Sequence, residues 1–232
     1  QIGYILPQML KRLIKKIRDF VIGDYRSKIL GDLIVKKIIK YNKQKNIRIL
    51  DFGSGFQPNI IFYIYDKLTL IYKKKVFIDC FDFYTLNQLS KLNGDRSALI
   101  NFKKIKLMKQ QREKYDFALI NDVLHHIGIE KKNFIINLLN DILNKSKIIF
   151  VKDHFQYGYI SNQLIRIMDY LGNCFNTNKL PKIYYTKKLF QELIKKTDGH
   201  IIEIIYEIKL YPSYLLFMSN PKLNFACLIK KD

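Results

Sequence analysis

The segment Asp51-Phe52-Gly53-Ser54-Gly55-Phe56-Gln57-Pro58 carries the clearest chemical signal in the chain. Two glycines two positions apart let the main chain turn tightly and let a ligand lie where a Cβ would collide. The segment follows the apolar positions Ile47, Ile49 and Leu50 and precedes a helical pattern that starts at Asn59. It therefore reads as a strand-to-helix turn whose helix offers unpaired amide groups to a ligand. Asp51 stands just before the glycines, and Asp79 lies 24 residues beyond Gly55, near the end of the next apolar run. A carboxylate at that place can accept both ribose hydroxyls of a nucleoside ligand. An ordinary connecting turn would carry the same two glycines. A nicotinamide dinucleotide site is the near competitor, but it calls for G-x-G-x-x-G, and Pro58 replaces the third glycine. That proline suits a first helical turn and removes an amide donor that a pyrophosphate would use.

Two more constellations bear titratable groups. Tyr115-Asp116-Phe117-Ala118-Leu119-Ile120-Asn121-Asp122-Val123-Leu124-His125-His126 joins an apolar strand to a polar end. Ile148-Ile149-Phe150-Val151-Lys152-Asp153-His154 does the same, with Asp153 and His154 expected just past the strand. An imidazole beside a carboxylate is the means of holding a general base. His154 oriented by Asp153 is the candidate base, and His126 the reserve. The alternative is structural, with Asp153 capping the next helix and the histidines packing. No metal is expected: neighbouring residues on a helix point about 100° apart, so His125 and His126 would not converge on one ion. His154 and His200 add no ligand spacing.

The elements that must position these groups follow from hydrophobic period. Amphipathic helices are expected at 8–21, 29–41, 59–72, 85–92, 134–143, 161–171 and 187–195. Strands are expected around 47–50, 76–78, 117–120, 147–151, 200–208 and 224–229. Strand and helix alternate with short connections. That predicts an α/β, Rossmann-like, doubly wound, mostly parallel sheet with helices on both faces and an antiparallel C-terminal strand. Ligands of such sheets bind beyond the carboxyl ends of the strands, where the strand order switches. One domain is expected over residues 1–232: an N-terminal helical cap (1–46), a cofactor-binding core (47–156), a helical insertion (157–185) and a closing helix and strands (186–232).

The three motifs together resemble the class I S-adenosylmethionine-dependent methyltransferases. Their first motif runs acidic-x-Gly-x-Gly-x-Gly, and Gln57 stands here for the third glycine. The Leu124-His125-His126 and Lys152-Asp153-His154 segments, with Arg166-Ile167-Met168-Asp169, Pro181, Tyr184 and Leu210-Tyr211-Pro212, are similar to a bacterial subgroup with "VLHH" and "KDH" segments. The resemblance implies S-adenosylmethionine as cofactor, with Asp51, Gly53, Ser54, Gly55, Asp79, Asn121 and Asp122 around it. It further implies methyl transfer to a small-molecule or lipid-like acceptor. The superfamily often has an acidic residue near the end of its third strand to meet adenine, and the stretch 101–106 offers none.

Composition bounds the rest. The chain of 232 residues has a net charge of +21, carried by 34 Lys against 7 Arg, with 37 Ile, 17 Asn and only 3 Ala. That joint skew fits an A- and T-rich genome acting on surface positions, whereas phosphate-recognising surfaces favour Arg. A nucleic-acid partner, as an RNA methyltransferase or an inactive binder, stays the alternative. Residues 8–21 carry an apolar stripe and a lysine face that would suit a peripheral membrane contact. No apolar run reaches about 18 residues, so no transmembrane helix is expected. Cys80, Cys174 and Cys227 form no disulfide framework, which points to a reducing, cytoplasmic setting.

Overall fold

The computed structural model describes residues 24–53, 59–82, 99–108, 110, 112–172, 184–213 and 220–232. The expected helices at 8–21 and 85–92 lie outside these residues, as do Ser54, Gly55, Cys174 and part of the expected insertion. The elements in chain order are α1 (Tyr25–Tyr41), β1 (Asn46–Phe52), α2 (Asn59–Asp66, continued by a wider turn over Lys67–Ile71), β2 (Lys75–Asp82) and β3 (Ile100–Lys104). Then come β4 (Tyr115–Asn121), the short α3 (Leu124–Ile127), α4 (Lys132–Leu143), β5 (Ser146–His154), α5 (Tyr159–Gly172), α6 (Lys187–Ile194), β6 (Gly199–Tyr206) and β7 (Asn224–Lys231).

The strands form one seven-stranded sheet in the order β3-β2-β1-β4-β5-β7-β6. The first five run parallel, and β7 inserts antiparallel between β5 and β6. The order reverses direction between β1 and β4, which opens a crevice at the carboxyl ends of those strands. The expected fold class is the one observed.

Side-chain alternation sorts the core into two layers. Leu50, Phe52, Ile120, Ile149 and Val151 face α4 and α6, with Leu139, Ile142 and Phe190. Ile47, Ile49, Phe117, Leu119, Ile148 and Phe150 face α1 and α2, with Leu30, Ile34, Ile38, Ile61 and Ile64. A strand buried on both faces is apolar at successive positions, which is what the runs in β4 and β5 encode. Gly31 lets α1 approach α2 closely, because a Cβ there would sit 2.4 Å from the Tyr63 ring. Glu203 of β6 fastens α1 from the far side through Lys37, Lys40 and Tyr41.

Three strands depart from the periodicity reading. β2 continues through Cys80-Phe81-Asp82, so Asp79 lies inside the strand. β5 continues through Lys152-Asp153-His154, paired with Ala226, Phe225 and Asn224 of β7. β3 shows no hydrophobic period, because as an edge strand it carries Asn101, Lys103 and Lys104, which dilute the apolar pattern. Among the described residues, no helix is long and apolar enough to cross a membrane.

Candidate active site

β1 ends at a turn whose first residue, Gly53, has φ +82°. Side chains rarely adopt that conformation, and a Cβ at Gly53 would fall 2.5 Å from Val123 Cγ2. Gly53 N–H donates to the Phe81 carbonyl at 2.8 Å, holding the turn against β2. Phe52 is opposite Ile120 of β4, so the turn stands beside Asn121 and Asp122. The Asn121 Oδ1 is buried without a hydrogen-bond partner among the described residues. Asp51 is buried at the end of β1. These groups form a polar edge on the crevice, and they fit a polar nucleoside ligand lying against the Gly53 main chain.

Asp79 does not reach that edge. It is opposite Leu50, well inside the sheet, and its carboxylate accepts from Tyr115 Oη at 2.7 Å and Asn101 Nδ2 at 3.2 Å. Lys103 Nζ adds an ion pair at 2.9 Å. Burial and the bond to Asp79 push the Tyr115 hydroxyl far up from its ordinary value. The expected ribose role of Asp79 is thereby corrected: the carboxylate fastens β2 to β3 and β4. The residue at the carboxyl end of β2 is Asp82, also buried, one position past the partner of Phe52. A strand read only over 76–78 stops short of Asp82. The continuation Cys80-Phe81 was the available signal.

The second half of the site lies at the ends of β4 and β5. Asp122 follows β4 in the left-handed region, φ +55°, a conformation Asp tolerates better than most residues. Its amide donates to the Lys152 carbonyl at 2.9 Å, and its carboxylate meets three partners. Arg26 of α1 pairs with Oδ2 and Lys152 pairs with Oδ1. His154 Nε2 lies 3.1 Å from the same Oδ1 and 3.2 Å from Lys152 Nζ. Lys152 is fully buried. Arg26 and Lys152 carried no signal in the sequence, since the contact joins residues 96 and 30 positions from Asp122.

Strand alternation then decides the histidine pairing. Lys152 and His154 point to one face of β5, and Asp153 to the other. Asp153 Oδ1 lies 2.5 Å from His125 Nδ1, and its Oδ2 accepts the His125 amide at 3.2 Å. The expectation that Asp153 orients His154 is corrected: Asp153 orients His125, and Asp122 is the carboxylate at the His154 ring. Asp153 is also not the cap of the following helix, since it lies within the strand. His125 Nε2 is 3.8 Å from Asp169 of α5, whose carboxylate accepts from Tyr184 Oη at 2.5 Å. His126 is exposed, its ring centroid 4.0 Å from that of His125.

The two buried imidazoles, 5.4 Å apart, are driven in opposite directions. Burial disfavours charge on His125, yet Asp153 and Asp169 outweigh it and raise its pKa. Burial and then the Lys152 charge lower the pKa of His154, and Asp122 only partly opposes them. Asp122 itself is well below the usual carboxylate range, because Lys152 and Arg26 overcome its burial. Such divergence of neighbouring groups is how one site keeps an acid and a base together. Asp122, His125 and Asp153 each bring a ligand atom within 4.8 Å of the others. Protein cations already occupy both oxygens of Asp122, and Asp153 already occupies His125 Nδ1, so no metal is assigned there.

No protein-family model and no curated protein matches the chain. Solved structures do. The mitomycin 7-O-methyltransferase MmcR superposes with a TM-score of 0.62 at 10% identity, covering 99% of this chain and 59% of that one. The chain thus spans about three fifths of MmcR's length. The plantazolicin methyltransferase BpumL, solved with SAH, gives a TM-score of 0.62 at 18% identity, with 99% and 92% of the two chains covered. A cyclopropane-fatty-acyl-phospholipid synthase-like protein from Lactobacillus casei gives 0.58 at 12% identity, covering 89% of this chain and 91% of that one. With a parallel sheet closed by an inserted antiparallel strand and with these neighbours, the chain has the Rossmann-like fold of class I S-adenosylmethionine-dependent methyltransferases.

Proposed function

We propose that the protein transfers a methyl group from S-adenosylmethionine to a small-molecule or lipid-like acceptor. One observation carries this reading. The left-handed Gly53 turn and the Asp122–His154 pair lie at the ends of neighbouring strands at the reversal of strand order. That puts a nucleoside-sized cradle beside a potential base. The solved neighbours named as methyltransferases support the reading.

The cofactor would supply an electrophilic methyl on sulfonium. Gly53, Gly55 and Ser54 would let its main-chain cradle form, with Asp51 at the amino-acid end and Asp82 at the ribose. Asn121 Oδ1 would take a donor from the ligand. The chain's part is alignment of acceptor and methyl in line, and such positioning is worth about 7–11 kcal/mol of barrier. An acceptor hydroxyl or amide N–H must also lose a proton. His154 is the base for that proton, because its Nδ1 is buried without a partner among the described residues. Proton removal of this kind contributes about 10²- to 10⁴-fold. His125, drawn towards its charged form by Asp153 and Asp169, would orient polar acceptor groups, and exposed His126 has no part.

Titration calorimetry with S-adenosylmethionine and S-adenosylhomocysteine tests the reading. Both should bind, while a nicotinamide dinucleotide should not. Labelled methyl passed to an extract would then name the acceptor. Absence of binding by either sulfur nucleoside overturns the proposal.

A further inference from the structure

Lys152 has no role in the reading above, yet it is an unusual group among the described residues. It is a lysine with no exposure, on an interior strand, between a carboxylate and an imidazole. An ammonium is expensive to bury, so its place asks for a physical account. We propose that Lys152 is a positioning residue that holds its charge against His154 Nε2, so that this ring stays neutral with a single proton. The proposal deepens the methyl-transfer reading and rests on it for its purpose, but its geometry stands on its own.

The argument is a count of charges and donors. Asp122 Oδ1 lies within reach of both Lys152 Nζ and His154 Nε2, at 3.1 Å for the latter. With its one proton on either nitrogen the neutral ring satisfies these contacts, since Nε2 either donates to Asp122 Oδ1 or accepts from Lys152 Nζ. With Lys152 charged, it and Arg26 flank the single Asp122 carboxylate and leave this three-residue cluster with one net positive charge. A second proton on His154 would bring another within 3.2 Å of Lys152 Nζ.

The other groups near the ring act less directly. His125 on α3 is 5.4 Å away by ring centroid, and it too opposes a proton on His154. Asp153, on the opposite face of β5, and Asp169 on α5 spend their charge on His125. Tyr184, 6.4 Å away by ring centroid, donates to Asp169, and Tyr211 lies near Arg26. Among the described residues, Lys152 is thus the cation held against the ring that must stay neutral.

Two measurements on the full, ligand-free chain test this. With histidine labelled in ¹⁵N, the wild-type His154 ring at pH 7 should show one protonated and one bare nitrogen. The signal is assigned through its loss in His154→Gln. A doubly protonated ring overturns the proposal without any variant of Lys152. Second, Lys152→Gln should raise the His154 titration midpoint by about one pH unit or more, and Lys152→Arg should restore it. An unmoved or lowered midpoint in a folded Lys152→Gln overturns the proposal. Because no cofactor is present, failure here leaves the binding of sulfur nucleosides untouched. Conversely, absence of that binding leaves this result standing.

Discussion

Asp122 and His154 meet across the carboxyl ends of β4 and β5, with His154 Nε2 at 3.1 Å from Asp122 Oδ1. The contact exists because Asp122 bends back in a left-handed conformation, while β5 runs straight through His154. A backbone held in that region at a polar edge is an observation that points to function. If the pair does the chemistry, His154→Ala should lower turnover by about 10²- to 10⁴-fold. Affinity for S-adenosylhomocysteine should hold within a few-fold. Unchanged turnover on the identified acceptor would make His154 structural.

Asp82 and Asp79 separate cleanly in a binding assay. Asp82→Ala should weaken S-adenosylmethionine by about ten-fold or more, since a hydrogen bond to a charged group is worth about 1.5–3 kcal/mol. Asp79→Ala should leave affinity nearly unchanged and lower the melting temperature instead, because it strands the buried Tyr115 hydroxyl. The reverse pattern in calorimetry and thermal melts would return the ribose to Asp79.

Gly53→Ala should cost stability by about 1–3 kcal/mol, from the left-handed backbone and the collision with Val123. The double variant Gly53→Ala with Val123→Ala should recover the steric part but not the backbone part. Urea unfolding of the four proteins in the cycle measures both.

The raised pKa of His125 makes its contribution pH-dependent with a definite sign. Its folded value lies above the unfolded value of about 6.5, so its stabilisation is fully present below that pH. It is lost as pH rises through the folded value. The stability difference between wild type and His125→Gln should therefore be largest in mild acid and shrink towards alkaline pH. A difference that grows with pH in denaturant titrations would mean that His125 is neutral in the fold.

Glu203 gathers Lys37, Lys40 and Tyr41, yet it is partly exposed. Glu203→Gln should cost no more than about 1 kcal/mol, as water screens such pairs. A larger loss in urea unfolding would mark the junction of α1 with the sheet as a principal source of stability.

Local pattern was enough to establish the class of fold. Apolar runs without alternation, such as Phe117–Ile120 and Ile148–Val151, require a sheet covered on both sides, and the intervening 3.6-residue patterns supply the cover. The Gly53 turn was legible for the same reason, since backbone freedom is written in the residue type. Strand ends were not. Lys152, Asp153 and His154 look like a polar loop in one dimension, and pairing with β7, with β4 at Lys152, keeps them in the strand. Cys80-Phe81-Asp82 likewise stays extended because β1 and β3 flank it. Those few residues of extra strand decide the site. They place Asp79 inside the sheet and Asp82 at its edge. They also send Asp153 to one face with His125, and Lys152 and His154 to the other with Asp122 and Arg26. Sequence adjacency suggests that neighbouring charges act together, whereas the pleat separates them. Which carboxylate serves which imidazole is therefore a property of tertiary pairing, and it is set by the period of two along β5 and the bend at Asp122.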